Sequence, residues 1–361
     1  MEFDHKNVGQ VVEEDRLSTL PDDLIHKIMS RFDMKFFVQT CLLSTSWKLL
    51  WTSMPCLSFS TNHFRDLHTF DKFVSHVLSH RNHQVEASCV KLDFHGEVNL
   101  EFLKNIANYA FSHNVQNLII DGSTLERYDD DWHCPPCVFS SQSLKQFTFS
   151  CNSMQFLATK TTITRLDFPA LTTLNLSCIK VCGDIFSSCV NLKNLTFERF
   201  EGMGRKEVFD IITPRLSNLT LIKGDYAKSV NVIAPQLENL IVIRCSINYL
   251  NAPLARTFIF VLQITSFMED ARKAISLLQK LHSARHVTLD WEVVECISSY
   301  PDLLSHHRPP FSNLICLTID CSRRNNVAYE VKMTTEAKNF LLGNSPNATF
   351  IMEVPEVHLC E

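Results

Sequence analysis

Leu216-Ser217-Asn218-Leu219-Thr220-Leu221-Ile222 is followed one loop later by Leu237-Glu238-Asn239-Leu240-Ile241-Val242-Ile243, and the two segments share one frame. A large aliphatic residue opens the frame and recurs three and five residues on. Asn, Thr and Ile fill the alternate positions. Strict alternation of this kind reads as a short strand with one buried face. The same frame occurs upstream at Leu171-x-x-Leu174-x-Leu176 and Leu192-x-x-Leu195-x-Phe197, and looser copies begin at Cys89, Val115, Leu144, Leu254, Ala284 and Leu314. Successive starts are 26, 29, 27, 21, 24, 21, 17, 30 and 30 residues apart. One such strand cannot bury its aliphatic row alone, so neighbouring copies must stack and merge their rows into a continuous core.

This frame resembles the leucine-rich repeat, whose period is about 20–29 residues. The resemblance implies an α/β fold: a curved solenoid with a parallel β-sheet on its concave face. Pro169, Pro214, Pro235 and Pro253 sit one or two residues before a strand frame, where a missing N–H leaves the ladder intact. The uneven spacing predicts a convex side that mixes helices, turns and bare loops. Ala271–Leu281 is one expected helix, with Ala274, Ile275, Leu278 and Leu281 along a face. The alternate strand positions should face the open concave surface. They place Asn117, Asn194, Asn218 and Asn239 in one column, Thr196, Thr220 and Ile241 in a second, and Glu198, Ile222 and Ile243 in a third. Asn194, Thr196, Asn218, Thr220, Ile222, Asn239, Ile241 and Ile243 are therefore candidates for binding a target protein. Asn and Thr also suit exposed strand positions on structural grounds alone.

Residues 17–60 carry a different pattern. Pro21 suits a first helical position, and Asp22 and Asp23 meet the positive end of the helix dipole. Leu24, Ile25, Ile28, Met29 and Phe32 recur at helical spacing, as do Phe37, Val38, Cys41 and Leu42. Ser44 can cap a third helix that places Trp47, Leu50 and Trp51 on one side. Three helices in this span form a core too small to fold alone. Leu20-Pro21-Asp22-Asp23-Leu24-Ile25 and Leu42-Leu43-Ser44-Thr45-Ser46-Trp47 resemble the F-box. That resemblance implies docking on a Skp-type adaptor through Leu20, Pro21, Leu24, Ile25, Ile28, Leu42, Leu43, Trp47, Leu50 and Trp51. Two departures stand out. Plant members often read Leu-Ser-Lys-Arg-Trp where this chain has Thr45-Ser46 before Trp47, and Pro-Thr-Lys where it has Asp33-Met34-Lys35.

Composition bounds the function. The chain has 361 residues, 45% hydrophobic and 20% charged, with a net charge of −5. That balance describes a folded domain and argues against general nucleic-acid binding. No apolar run is long enough for a membrane span, and residues 1–16 read as a polar tail. The 14 dispersed cysteines fit reduced thiols in the cytoplasm or nucleus. His133-Cys134-Pro135-Pro136-Cys137 offers three metal ligands in five residues but lacks a second Cys pair to complete a zinc site. Cys178, Cys182 and Cys189 read as packing residues. Gly202-Met203-Gly204 is followed by Glu207 where the dinucleotide fingerprint needs glycine. No catalytic motif is found, and no cofactor is expected.

The chain thus divides into a tail (1–16), an F-box (17–60), a helical linker (61–88), a repeat domain (89–300) and a terminal repeat or cap (301–361). The last region is similar to the FBD-type segment of plant F-box/leucine-rich-repeat proteins; Gly343 and Pro346 should end a helix there, and 348–354 should form a closing strand. The combined resemblance implies a substrate receptor of a cullin–RING ubiquitin ligase. Two alternatives are a repeat scaffold with a degenerate F-box, and a zinc protein or enzyme centred on His133, Cys134 and Cys137.

Overall fold

The computed structural model describes residues 20–42, 47–95, 100–124, 136–153, 161–203, 208–224, 229–245, 249–252, 255–262, 266–322 and 331–353. Its frame is one parallel sheet of 12 strands: Cys56–Ser60, Cys89–His95, Asn117–Thr124, Gln146–Ser153, Thr173–Ser177, Asn194–Glu198, Asn218–Ile222, Asn239–Ile243, Thr257–Val261, His286–Asp290, Cys316–Asp320 and Thr349–Glu353, hydrogen-bonded in that order. The register is constant. Leu174, Leu195, Leu219 and Leu240 lie opposite one another, as do Leu176, Phe197, Leu221 and Val242. All eight are buried. Each fully buried side chain of this size contributes about 1.5–3 kcal/mol, and stacking gives every strand two such rows.

Repeat length decides what returns behind the sheet. The long repeats have room for helices: Leu67–His80, Leu100–Ser112, Phe267–Lys280, Trp291–Ser298 and Thr335–Leu342. The short central ones do not. There the chain returns as strands, forming two further parallel sheets, Thr161–Ile163/Ile179–Cys182/Glu201–Met203 and Val208–Ile212/Ser229–Ile233/Tyr249–Asn251. The expected convex mixture of helices, turns and loops omitted these sheets, because strands of three to five residues have too little periodicity to register.

Recurrent turns join the layers. Pro169, Pro214 and Pro235 each take the second position of a turn in which Leu171, Leu216 or Leu237 donates its N–H to the carbonyl of Phe168, Thr213 or Ala234. A fixed φ favours proline at that second turn position. At the other strand end Cys178, Arg199, Lys223 and Arg244 take left-handed φ values of 57°, 51°, 50° and 51°. That conformation costs about 1–2 kcal/mol in a residue with a side chain. A hydrogen bond to the last carbonyl of the next strand offsets it each time, as from Arg199 to Ile222 and from Lys223 to Ile243, both 2.8 Å. Gly224 follows one of these turns, and a Cβ there would fall 2.5 Å from the Phe200 ring.

The sheet begins within the segment read as the F-box, since Cys56–Ser60 pairs in register with Cys89–Asp93. The expected third helix is, among described residues, a series of tight turns ending in the 3-10 segment Leu50–Ser53. Leu50, Thr52 and Met54 bond back to Trp47, Leu49 and Trp51 in i→i+3 steps. Pro55 excludes helical backbone at Met54, which is extended (φ −61°, ψ 126°), and the chain passes directly into the first strand. Ser44, the expected cap, lies outside the described residues.

Candidate docking and recognition surfaces

Two short helices, Asp22–Met29 and Met34–Thr40, carry the N-terminal module. Leu24 and Ile25 donate backbone N–H bonds to Pro21, and the Asp22 and Asp23 side chains occupy the first turn. Asp33 caps the second helix by accepting the Lys35 N–H at 2.7 Å. Burial pushes its carboxyl above the usual range, and backbone donors at Lys35 and Ser60 pull it back. Ile25, Met29, Met34, Phe37, Trp47 and Leu50 are buried and belong to the same core cluster as the sheet.

The candidate adaptor residues therefore separate into two groups. Ile25, Trp47 and Leu50 face inward, where packing leaves no surface for a partner, and Leu20 and Trp51 are partly buried against that core. Pro21, Leu24, Ile28 and Leu42 are exposed, Leu24 by 48%, Ile28 by 49% and Leu42 by 89%. Leu43 lies outside the described residues, as do Thr45 and Ser46. Phe32 and Leu49, absent from the candidate set, are also exposed, by 52% and 69%. Phe32 continues the four-residue stride of Leu24 and Ile28, and that stride was the available signal. Phe36 is exposed too, with its ring edge against His63 at 4.6 Å. The result is an aliphatic and aromatic stripe on solvent, which soluble surfaces seldom carry without a partner.

On the concave face, the register places Asn117, Gln146, Thr173, Asn194, Asn218 and Asn239 in one column. The asparagines form a ladder: Asn239 donates to Asn218 and Asn218 to Asn194, each at 2.6 Å, and Asn194 donates to Thr173 at 3.1 Å. The side-chain amides thus extend the backbone ladder. Thr196, Thr220, Ile241 and Ile259 form the next concave column, and Glu198, Ile222 and Ile243 the third, all half-buried. Asn218→Ala should lower stability by about 1–2 kcal/mol in chemical denaturation, since it breaks two net-favourable bonds at a half-solvated site. An unchanged midpoint would show that the ladder carries no stability.

Comparison with known proteins matches both regions. A family model for the F-box domain covers residues 17–59, and one described as "FBD-associated F-box protein At5g56370, LRR repeats" covers residues 103–279. By these matches the chain carries both an F-box and FBD-associated leucine-rich repeats. It is 28% identical over 357 residues to the "Putative F-box/FBD/LRR-repeat protein At4g03220" of Arabidopsis thaliana, covering 87% of this chain and 70% of that one. Similarity to the "F-box/FBD/LRR-repeat protein At3g26920" of the same plant is 26% over 348 residues, covering 88% and 75% respectively.

The remaining candidates on this F-box/leucine-rich-repeat chain fall as follows. Cys178 and Cys189 are buried, the latter with its thiol pushed up to about 11 by burial, whereas Cys182 is exposed. Cys137 is exposed; His133 and Cys134 lie outside the described residues. Among the described residues no three metal-ligand side chains converge, and no helix is long and apolar enough to cross a membrane. Cys56 and Cys89 are register partners on the first two strands, and the hydrogen bond from Cys89 lowers the Cys56 thiol to about 7.

Proposed function

We propose that the chain is a non-enzymatic substrate receptor of an SCF-type (cullin–RING) ubiquitin ligase, acting in the cytoplasm, the nucleus or both. The exposed stripe of Leu24, Ile28, Phe32 and Leu42 in the F-box carries this reading. It supplies the kind of desolvatable anchors that dominate protein interfaces. The stripe docks on a Skp-type adaptor, which links the chain to the cullin–RING assembly. The repeats hold a target protein, with the half-buried Thr196, Thr220, Ile222, Ile241 and Ile243 as its contact surface beside the Asn194, Asn218 and Asn239 ladder. The contribution to reaction is proximity: a bound target presents its lysines at high effective concentration to the loaded conjugating enzyme. No nucleic acid or membrane takes part.

Co-expression of the full chain with a Skp-type adaptor tests the reading. A stoichiometric complex on size-exclusion chromatography is expected. A folded chain that elutes without the adaptor would leave a repeat scaffold with a degenerate F-box.

A further inference from the structure

Two thiols open the concave column that the asparagine ladder continues. It begins Cys56, Cys89, Asn117, each the register partner of the next. Alternation fixes the side on which they stand. Leu57 and Phe59 on the first strand, and Val90, Leu92 and Phe94 on the second, fill the core, so Cys56 and Cys89 share the other face with Ser58 and Lys91. Side chains of register partners meet on this face. Ser60 donates to Asp93 at 3.1 Å at the far end of the same two strands, and Asn218 donates to Asn194 at 2.6 Å further along the sheet.

The two cysteines meet in the same way, thiol to thiol. Neighbouring parallel strands run about 4.8 Å apart, inside the Cα separation of about 4.4–6.8 Å that a disulfide spans. Both residues open their strands, directly after Pro55 and Ser88, where an end can shift while the rest of the ladder holds. Their environments differ. Cys56 is half-buried, and the bond from Cys89 lowers its thiol to about 7 against the opposing effect of burial, so about half is thiolate at neutral pH. Cys89 is buried, and the same bond together with burial pushes its thiol well up, so it keeps its proton. The exposed Lys91 ammonium favours the charged form at both. An accessible thiolate beside a protonated second thiol is the arrangement of a redox-responsive pair.

We propose that Cys56 and Cys89 are a peroxide-responsive pair that closes into a reversible disulfide, with Cys56 as the attacking sulfur and Cys89 as the resolving one. The Cys56 thiolate attacks one oxygen of hydrogen peroxide and the O–O bond breaks. The departing hydroxide takes up the proton that the thiol had released, leaving a sulfenic acid and water. Cys89 sulfur then attacks Cys56 sulfur, the S–O bond breaks, and hydroxide leaves with the Cys89 proton as a second water. Two electrons pass from the thiols to the peroxide. A dithiol reductant reverses the closure by exchange. Closure ties the N-terminal module to the first repeat strand and encloses the helix Leu67–His80 in a covalent loop.

Peptide mapping of the reduced full chain tests the pair. After hydrogen peroxide and N-ethylmaleimide, trypsin leaves Cys56 in residues 49–65 and Cys89 in residues 82–91, with no other cysteine in either peptide. The two peptides should appear linked, two hydrogens lighter than their sum, as the main disulfide species, and dithiothreitol should release them. Unfolding in urea should slow the linkage at least about tenfold, because the register no longer holds the sulfurs together. Cys89→Ser should lose the link and leave a Cys56 sulfenic acid that dimedone captures, with melting close to wild type. The wild-type map decides even if that variant misfolds. Recovery of both cysteines as alkylated thiols while the exposed Cys137 and Cys182 oxidise overturns the proposal. So does Cys56 linked chiefly to a third cysteine, or a linkage rate unchanged in urea.

Discussion

Leu24→Glu combined with Ile28→Glu is expected to weaken binding to a Skp-type adaptor by at least about a hundredfold, or roughly 2.7 kcal/mol. Both side chains are about half exposed on one helix face, so each substitution puts a charge where a partner would have to desolvate it. Neither side chain fills the core, so stability should stay within about 0.5 kcal/mol. Trp47→Ala would be a poor substitute. Trp47 is 8% exposed and packs with the core, and truncating it should cost about 3–5 kcal/mol. Lost binding in that variant would report unfolding of the module as much as a missing contact. Isothermal titration of the Glu variant, with its melting curve alongside, decides the matter. Wild-type affinity in a folded Leu24→Glu/Ile28→Glu protein would show that the stripe is not the docking face.

The second large effect lies in the solenoid core. Phe197→Ala should destabilise the protein by about 3–5 kcal/mol in denaturant titration. Phe197 is fully buried, and its ring centroid lies 5.3 Å from Phe200, 5.9 Å from Phe209 and 6.0 Å from Phe186. These rings belong to the return path of the central repeats as well as to the main sheet, so truncation opens a void between layers. Because each repeat contacts mainly its neighbours, the loss should be concentrated locally. Hydrogen exchange should accelerate most in the strands at 173–177, 194–198 and 218–222. A loss below about 1 kcal/mol would mean that the layers collapse to fill the gap.

Much of this architecture is legible in residue order. Alternating aliphatics at Leu219/Leu221 and Leu240/Val242 set strand, register and buried face together, because a slip of one residue would turn each row toward solvent. The helix expected over 271–281 is observed as Phe267–Lys280, and the closing strand expected over 348–354 as Thr349–Glu353. The convex sheets were not legible, since three-residue strands such as Glu201–Met203 form only because a neighbouring repeat supplies a ladder. In the front module helical spacing identified the apolar residues but not their sides. Ile25 and Leu24 are adjacent in sequence, yet one faces the core and the other solvent, and only packing into the shared core decides which.

The strand Cys56–Ser60 pairs with the first repeat strand within one continuous core, so the front module and the solenoid share a rigid joint rather than a flexible tether. If the chain is the receptor proposed above, this joint makes it a set square: the exposed stripe and the concave surface would keep a fixed offset, and which lysines of a captive protein come within reach would be a matter of geometry, set by where along the curve the target sits.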